Sequence, residues 1–350
     1  MMKSLAKNRA ITFVIPDVTA FQSGGNIYNK NLIDGLKKNG QSIVVLDWAA
    51  FSKVTAPLEG YYFFDTLYFR QLKKFLPQKA IKASCYLIVH HLESLYPPKD
   101  WTADAYFKQK EYPILKLFDG FLTSSQFTAA YLTKHHLNAP KIIIPPAINF
   151  QTKKTTETAI SKIQVVMVAN LVERKGVLPF LQLLASTPFL QQTQNLQLHL
   201  IGTSEIEPDY AQACLQLIEK NPSLKKIIYY HGQLSPTQVH SFYQKANLFI
   251  STAFMETYGM ALQEARAFQL PILALKGGNV ENHVENGRTG WLFDKMEDLV
   301  QQLANLVKQG DDLSTIQENI LHQTTTDFYD WAAAAKDFIR QLAYECLNHD

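Results

Sequence analysis

A strand-to-helix junction lies at residues 248–265, which read LFISTAFMETYGMALQEA. The apolar run Leu248–Ser251 predicts a buried strand, and the segment Gly259–Phe268 has the periodicity of a helix. A glycine permits a tight turn between them, and the first amides of a helix have no partner inside it. We therefore expect this junction at the carboxyl end of a strand, which is the edge where parallel sheets bind ligands.

The same alternation of short apolar runs and helical segments extends over most of the 350 residues. The runs are rich in Val, Ile and Leu without strict alternation, which is typical of strands covered on both faces. The predicted strands are Ile11–Ile15, Ser42–Leu46, Tyr86–Val89, Gly120–Thr123, Lys141–Ile144, Ile163–Val168, Leu196–Ile201, Ile227–Tyr230, Leu248–Ser251 and Pro271–Leu275. Helices are predicted between them, among others at Asn29–Asn39, Gly176–Ser186, Ser235–Ala246 and Gly259–Phe268. The sequence thus predicts an α/β fold with doubly wound parallel sheets.

Two domains are expected because 350 residues exceed what one compact core usually holds. Residues 151–162 are polar and lack apolar periodicity, so they predict a linker after Pro145-Pro146. We place one Rossmann-like domain at residues 1–155 and a second at residues 156–327. The carboxyl ends of their strands are expected to border a cleft that binds the ligand.

Charge and cysteine usage argue against several classes of protein. The formal net charge is +3 and there is no long basic tract, so nucleic acid is not an expected partner. The three cysteines form no CxxC pair, which favours a reduced, cytoplasmic protein over a zinc ribbon or a disulfide framework. No apolar stretch approaches the roughly 20 residues of a membrane span, and the run Ala10–Ile15 is too short for a signal peptide. We expect a cytoplasmic protein, soluble or peripheral at the inner membrane face.

Two glutamates flank the amino terminus of the helix in the junction at residues 248–265. Glu256 is expected in the loop after the strand, and Glu264 in the second turn of the helix. Between them, the amides of Tyr258, Gly259 and Met260 form a helix amino terminus that can bind an anion. Carboxylates accept hydrogen bonds from sugar hydroxyls, and amides donate to phosphate oxygens. The pattern indicates a nucleotide-sugar site, whereas the alternative of two ordinary helix-surface glutamates leaves the strand and glycine context unexplained.

A basic turn follows the strand that begins the second half. Arg174 and Lys175 precede Gly176, and these two cations suit a diphosphate because arginine can form a bidentate clamp and lysine a point charge. A solvated basic turn is the competing interpretation. Near the amino terminus, Gly24 and Gly25 follow the first predicted strand, where the backbone could approach an anion. This pair does not form GxGxxG, and a tight turn explains it equally well.

From about Ile163 to Phe293, the sequence resembles the retaining GT-B glycosyltransferases called glycosyltransferase family four. The E-G-F-G-x-x-x-x-E pattern of that family is matched from Glu256 to Glu264, and its lysine before glycine is matched by Lys175. The turns of the family that contain G-G and N-G-x-T-G are matched by Lys276-Gly277-Gly278 and by residues 286–290.

The resemblance implies roles for these residues. Glu256 would contact the donor sugar near the reacting carbon, Glu264 would bind the ribose, and Lys175 would neutralise the diphosphate. His90, which with His91 ends a predicted strand, would lie near the donor sugar and the acceptor, although a structural histidine is the alternative. The first domain would bind the acceptor, and a helix at about residues 328–350 would cross back onto it.

Two positions depart from the family pattern. Asn170 stands where the family usually has arginine, which removes one phosphate cation, and whether Arg174 compensates is open. Thr257 stands where the family usually has glycine, and it either narrows the sugar pocket or supplies a hydroxyl.

The expected activity is a retaining, metal-independent hexosyltransferase of carbohydrate biosynthesis. Its donor would be a UDP- or GDP-sugar, and its acceptor a small molecule, a glycan or a lipid-linked sugar. No Asp-x-Asp follows a strand and no ligand cluster has metal spacing, so neither a metal nor another cofactor is expected. The alternatives are an epimerase or phosphorylase on the same plan, and a non-catalytic nucleotide-sugar-binding protein.

The segment from Tyr61 to Phe75, with Lys79 and Lys82, mixes aromatic and cationic residues. We interpret it as a helix with a solvated basic face over the acceptor domain. An interfacial helix on anionic lipid, and hence peripheral membrane contact, is the alternative.

Overall fold

The computed structural model describes residues 10–17, 23–76, 82–148, 162–309, 311–322 and 330–347. The chain divides into two compact units, residues 1–149 with 328–350 and residues 150–327. The predicted linker, except for Lys162, lies outside the described residues, as do the first residues of the last predicted helix and Lys79.

The first unit is built on a six-stranded sheet with the order β2-β1-β3-β4-β5-β6, and all neighbouring pairs are parallel. The strands are β1 (Ile11–Val14), β2 (Ile43–Leu46), β3 (Tyr61–Asp65), β4 (Ser84–Val89), β5 (Gly120–Thr123) and β6 (Lys141–Ile143). Its helices include α1 (Gly24–Lys38), α2 (Trp48–Ser52), α3 (Phe69–Phe75), α4 (Ala103–Tyr106), α5 (Tyr112–Leu115) and α6 (Gln126–Lys134), with a π-helical turn at Phe107–Glu111.

The second unit repeats this plan with the sheet order β12-β11-β10-β7-β8-β9, again parallel throughout. The strands are β7 (Ile163–Val168), β8 (Leu196–Ile201), β9 (Ile228–Tyr230), β10 (Leu248–Ser251), β11 (Ile272–Leu275) and β12 (Gly290–Phe293). Its helices include α7 (Val177–Ser186), α8 (Pro188–Gln192), α9 (Pro208–Lys220), α10 (Pro222–Ile227), α11 (Pro236–Lys245), α12 (Met260–Ala267), α13 (Met296–Gln309) and α14 (Asp311–His322). These two parallel sheets confirm the predicted α/β class.

The last helix, α15 (Trp331–Leu347), belongs to the core of the first unit. The Phe338 ring lies 5.1 Å from that of Phe63, centre to centre, and 6.2 Å from that of Phe13. The Gln341 side chain exchanges two hydrogen bonds with the backbone of Ile143, which lies in β6. Helix α15 therefore covers the sheet of the first unit.

One segment differs from its prediction. Residues Tyr61–Asp65 form strand β3 between β1 and β4, and helix α3 begins only at Phe69. Phe63 and Phe64 are fully buried, one on each face of the sheet. The prediction of a helix from Tyr61 is wrong because a strand covered on both faces tolerates an unbroken aromatic run.

Among the described residues, no helix combines the length and the apolar character needed to cross a membrane.

Candidate nucleotide-sugar site

The chemistry-bearing residues of the second unit lie where its strand order reverses. Strand β7 is flanked by β8 on one side and β10 on the other, so the connections from β7 and β10 leave the sheet in opposite directions. A crevice opens at the carboxyl ends of the strands at such a switch point. The loop after β7 carries Lys175, and the loop after β10 carries Glu256.

Lys175 and Glu256 form an ion pair across these two loops. Lys175 Nζ donates to Glu256 Oε1, and only 15% and 13% of the two side chains are exposed. Burial raises the pKa of the Glu256 carboxyl, but the Lys175 and Arg174 cations outweigh that effect and hold the pKa below its ordinary value. Burial lowers the pKa of the Lys175 ammonium against the opposing pull of Glu256. The site therefore contains a buried ion pair in which the two charges neutralise one another.

Backbone contacts fix the two loops against each other. The Thr252 hydroxyl donates to Lys175 O at 2.7 Å, and Phe254 N donates to Arg174 O at 2.9 Å. Arg174 Nη1 donates to Met255 O at 3.3 Å, which places the guanidinium beside the Glu256 loop. Gly176 adopts φ 64°, and a Cβ there would lie 2.3 Å from the carbonyl oxygen of Thr252, so only glycine fits at this contact.

A third segment, after β11, holds the other side of the Glu256 loop. Glu256 N donates to Gly277 O at 3.3 Å, and Asn279 N donates to Glu256 O at 2.8 Å. Gly278 adopts φ 63°, and a Cβ there would lie 2.2 Å from the carbonyl oxygen of Glu256. The glycine pair Gly277-Gly278 therefore permits the close backbone approach that places the Glu256 carboxylate.

Helix α12 begins beside this pair. Gly259, at φ 93°, precedes its first residue, Met260. The carbonyl of Tyr258 accepts hydrogen bonds from Asn279 Nδ2 at 2.9 Å and from His283 Nε2 at 2.6 Å. Burial raises the pKa of the Tyr258 hydroxyl, which keeps the group neutral.

A small cavity lies between these elements, with room for about one water molecule. Lys175 and Glu256 line it together with Thr252 and with Ala261 and Leu262 from the first turn of α12. The ion pair and the amino-terminal turn of the helix thus border the same space.

Glu264 has a different environment from Glu256. Its carboxylate interacts with the hydroxyl of Tyr243, a buried residue of α11. Burial raises the pKa of Glu264 to about 7, although the Tyr243 hydrogen bond opposes this. The two glutamates predicted to face one ligand are thus both buried, but one is paired with a cation and the other with a phenol.

The other site residues predicted in the second unit differ in their surroundings. Asn170 Oδ1 accepts a hydrogen bond from Thr203 N at 3.2 Å, so this side chain ties the loop after β7 to the loop after β8. Thr257 and Met260 are half-buried beside Tyr258. Arg174, by contrast, lies close enough to Glu256 to lower the pKa of its carboxyl.

In the first unit, Gly24 and Gly25 begin helix α1, which Ser23 caps by accepting from Asn26 N at 3.1 Å. A Cβ on Gly25 would lie 3.0 Å from the His90 ring, so the glycine pair and His90 are neighbours. His90 Nε2 lies 3.0 Å from Asn29 Oδ1 and 3.4 Å from Asp65 Oδ2.

Asp65 is fully buried at the end of β3. Burial raises the pKa of its carboxyl, but His90 and hydrogen bonds from Leu67 N and Asn29 Nδ2 outweigh this and lower it. Asp65 was not predicted from the sequence because β3 was interpreted as a helix. Asn279 and His283 were not predicted either, and their only signal was that Asn279 directly follows a glycine pair after a strand, with His283 four residues further on.

Comparison with known proteins fits this geometry. Residues 150–323 match the family model described as glycosyl transferases group 1. Through this half, the chain belongs to the group 1 glycosyl transferases. It is 26% identical over 154 residues to an alpha-monoglucosyldiacylglycerol synthase of Acholeplasma laidlawii, an alignment that spans 44% of this chain and 37% of the relative. The chain spans less than half the length of the curated relatives it matches.

Solved structures share the fold over nearly the whole chain. A sucrose-phosphate synthase from Thermosynechococcus elongatus superposes with a TM-score of 0.73 at 16% identity, covering 98% of this chain and 100% of that one. The Anabaena protein HepE, solved in complex with UDP and glucose, gives a TM-score of 0.69 at 16% identity, covering 96% and 100%. The fold is GT-B, as the sequence predicts.

Proposed function

We propose that this chain transfers a hexose from a UDP- or GDP-sugar to an acceptor hydroxyl, with retention of the anomeric configuration and without a metal ion. The observation that carries the proposal is the buried Lys175–Glu256 pair at the switch point of the second unit, beside the first turn of α12. Family membership of this half supports the same class of reaction.

Lys175 and Arg174 would bind the diphosphate, together with the amides at the start of α12, which have no partner inside the helix. Glu256 would then turn from Lys175 toward the sugar hydroxyls near the reacting carbon. Glu264 would accept from the ribose. In this assignment Asn170 does not replace the missing arginine, because its amide carries no charge, and Arg174 supplies the second cation.

In the proposed reaction, the bond between the anomeric carbon and the phosphate oxygen breaks while the acceptor oxygen bonds to the same face of that carbon. The departing phosphate oxygen takes the proton of the acceptor hydroxyl, so no protein nucleophile is needed. Charge that develops on the diphosphate is stabilised by the fixed cations and amides, which is the usual source of the largest catalytic effect. In the proposed reaction these groups stabilise the leaving diphosphate without a metal ion.

The acceptor is assigned to the first unit, where His90 and the Gly24-Gly25 turn are the proposed substrate-contacting groups. Asn29 and Asp65 hold the His90 ring in one orientation. The acceptor hydroxyl belongs to a small molecule, a glycan or a lipid-linked sugar. One relative is named for a glucosylated lipid product, monoglucosyldiacylglycerol, which supports including a lipid among the acceptors to be tested.

A thermal-shift screen of the full chain tests the donor class. We expect stabilisation by at least one UDP- or GDP-sugar in the presence of a metal chelator, and none by NAD. Incubation of the stabilising nucleotide sugar without an acceptor then separates the alternatives, because an epimerase would produce a new nucleotide sugar. Absence of a shift with every nucleotide sugar would contradict the proposal.

A further inference from the structure

Two side chains of the segment after β11 converge on one backbone carbonyl. Asn279 Nδ2 and His283 Nε2 both donate to Tyr258 O, at 2.9 and 2.6 Å. The same segment also contacts Glu256, which lies two residues before Tyr258, because Asn279 N donates to the carbonyl oxygen of Glu256. A carbonyl that accepts two hydrogen bonds from side chains on one segment has a fixed direction.

The direction of this carbonyl also sets the direction of an amide. In a planar trans peptide, the C=O of Tyr258 and the N–H of Gly259 point in opposite directions, and none of the described peptide bonds is cis. The Gly259 N–H therefore points away from Asn279 and His283. Gly259 directly precedes α12, and Ala261 and Leu262 of the same turn line the cavity that contains Lys175 and Glu256.

His283 is expected to make the folded chain less stable than an apolar side chain would at this position. It is 5% exposed, and its Nδ1 atom has no hydrogen-bond partner among the described residues. Since the proton is on Nε2, Nδ1 is a buried acceptor left unsatisfied, which costs free energy that an apolar side chain would avoid. Burial lowers the pKa of His283 to about 4, so the ring stays neutral near pH 7. Its distinctive contribution is one directed N–H.

We propose that Asn279 and His283 are positioning residues for the diphosphate of the donor. They hold the Tyr258–Gly259 peptide so that the Gly259 amide, with the first amides of α12, donates to phosphate oxygens. This inference rests on the proposed function and adds to it the residues that orient the anion-binding turn.

Calorimetric titration with UDP and with uridine, or with GDP and guanosine if the donor is a GDP-sugar, tests the inference. His283→Leu is expected to lower the affinity for the nucleoside diphosphate by about 10- to 100-fold, because the Gly259 amide would lose its charge-assisted hydrogen bond to a phosphate oxygen. The affinity for the nucleoside is expected to stay unchanged. His283→Gln restores a donor near the Nε2 position and is expected to stay within about threefold of the wild type. His240→Leu, which removes a half-buried histidine whose ring centre lies 5.4 Å from that of Phe268, is the matched control with wild-type affinities.

Three results would overturn the inference: no loss of diphosphate affinity in His283→Leu, an equal loss for nucleoside and diphosphate, or an equal loss in the Leu and Gln variants. If His283→Leu does not fold, Asn279→Leu provides the same comparison, because it removes the amide donor at similar volume and adds no charge. A wild-type chain that binds no nucleoside diphosphate would contradict the proposed function itself, whereas normal wild-type binding with an unaffected His283→Leu would contradict only the positioning role.

Discussion

Lys175 and Glu256 neutralise one another in the described structure, and a bound diphosphate would compete with Glu256 for the lysine. The carboxylate would then be released toward the sugar at the moment the phosphates arrive. A buried pair of this kind is expensive to break from one side, because the remaining charge stays buried without a partner. The two residues should therefore respond differently to substitution, although they touch each other.

We expect Lys175→Gln to weaken binding of the nucleoside diphosphate by about 10- to 100-fold, because a cation is lost and the unpaired Glu256 carboxylate repels the phosphates. Glu256→Gln should leave that affinity unchanged or tighten it, since Lys175 is released, while transfer falls by about 100- to 1,000-fold. Titration calorimetry and a coupled transfer assay measure the two effects. Lys225→Gln, which removes an exposed lysine paired with Glu219, is the control. Equal loss of affinity in both site variants would contradict the assigned roles.

Glu264 should make stability depend on pH. Its pKa is about 7 in the folded chain and near 4.5 when unfolded, so the folded state binds the proton more tightly and stability from this group is lost as pH rises from about 4.5 to 7. Glu264→Gln cannot ionise and should gain up to about 3 kcal/mol relative to the wild type at pH 8, with the gain shrinking toward pH 4.5. Urea unfolding at several pH values measures this. A difference between Glu264→Gln and the wild type that does not vary with pH would contradict the raised pKa of this carboxyl.

At the scale of elements, the site depends on one loop held from two sides. The loop after β7 binds Thr252, Phe254 and Met255, and the segment after β11 binds Glu256 and Tyr258. The strands fix where these loops begin, and glycines permit their close approach. Stability and donor binding should therefore be coupled at Gly176 and at the glycine pair Gly277-Gly278, but not at turns away from this loop.

Gly278→Ala tests this coupling. It adds a Cβ 2.2 Å from Glu256 O at a left-handed φ, so we expect a loss of about 2–4 kcal/mol in unfolding free energy and a measurable loss of donor affinity. Gly287→Ala is the matched control, because φ is 78° there and nothing lies within 4 Å of the new Cβ. It should lose about 1–2 kcal/mol from strain and retain donor affinity. Equal affinities in the two variants would show that the glycine pair does not hold the site.

The sequence predicts most elements of this architecture and only part of the site. Strands β7, β8 and β10 begin and end as predicted, because their Val, Ile and Leu runs are bounded by turns and polar residues. Strand β3 was missed since an aromatic run followed by cations has no clear period, and Asp65 was missed with it. Asn279 and His283 act on a carbonyl some 20 residues earlier in the chain, a contact that arises only when β10 and β11 pair.

At the scale of the whole molecule, each unit has its own core and its own switch point. In the first, Gly25, Asp65 and His90 gather at the ends of β1, β3 and β4, and in the second, Lys175 and Glu256 gather at the ends of β7 and β10. The donor is assigned mainly to the second unit. Only that unit combines a cation pair, a helix amino terminus and buried carboxylates among the described residues.

Hydrogen exchange locates the donor in the full chain. We expect a bound nucleotide sugar to slow amide exchange most in peptides covering residues 173–176 and 256–262, because these amides and their loops would contact the phosphates. Smaller protection is expected around Gly25 and His90, which we assign to substrate contact in the first unit. Strongest protection in the first unit would contradict the assignment.

The most direct test of the account is the fate of the donor in the presence of acceptors. The full chain is incubated with UDP- and GDP-sugars and with small-molecule, glycan and lipid fractions under a metal chelator, and mass spectrometry follows the nucleotide and the sugar. We predict that one donor releases its nucleoside diphosphate in the same amount as hexose appears on an acceptor, and that Glu256→Gln lowers both by about 100- to 1,000-fold. Binding of a nucleotide sugar with no transfer to any fraction, or its conversion to an epimer without an acceptor, would contradict the account.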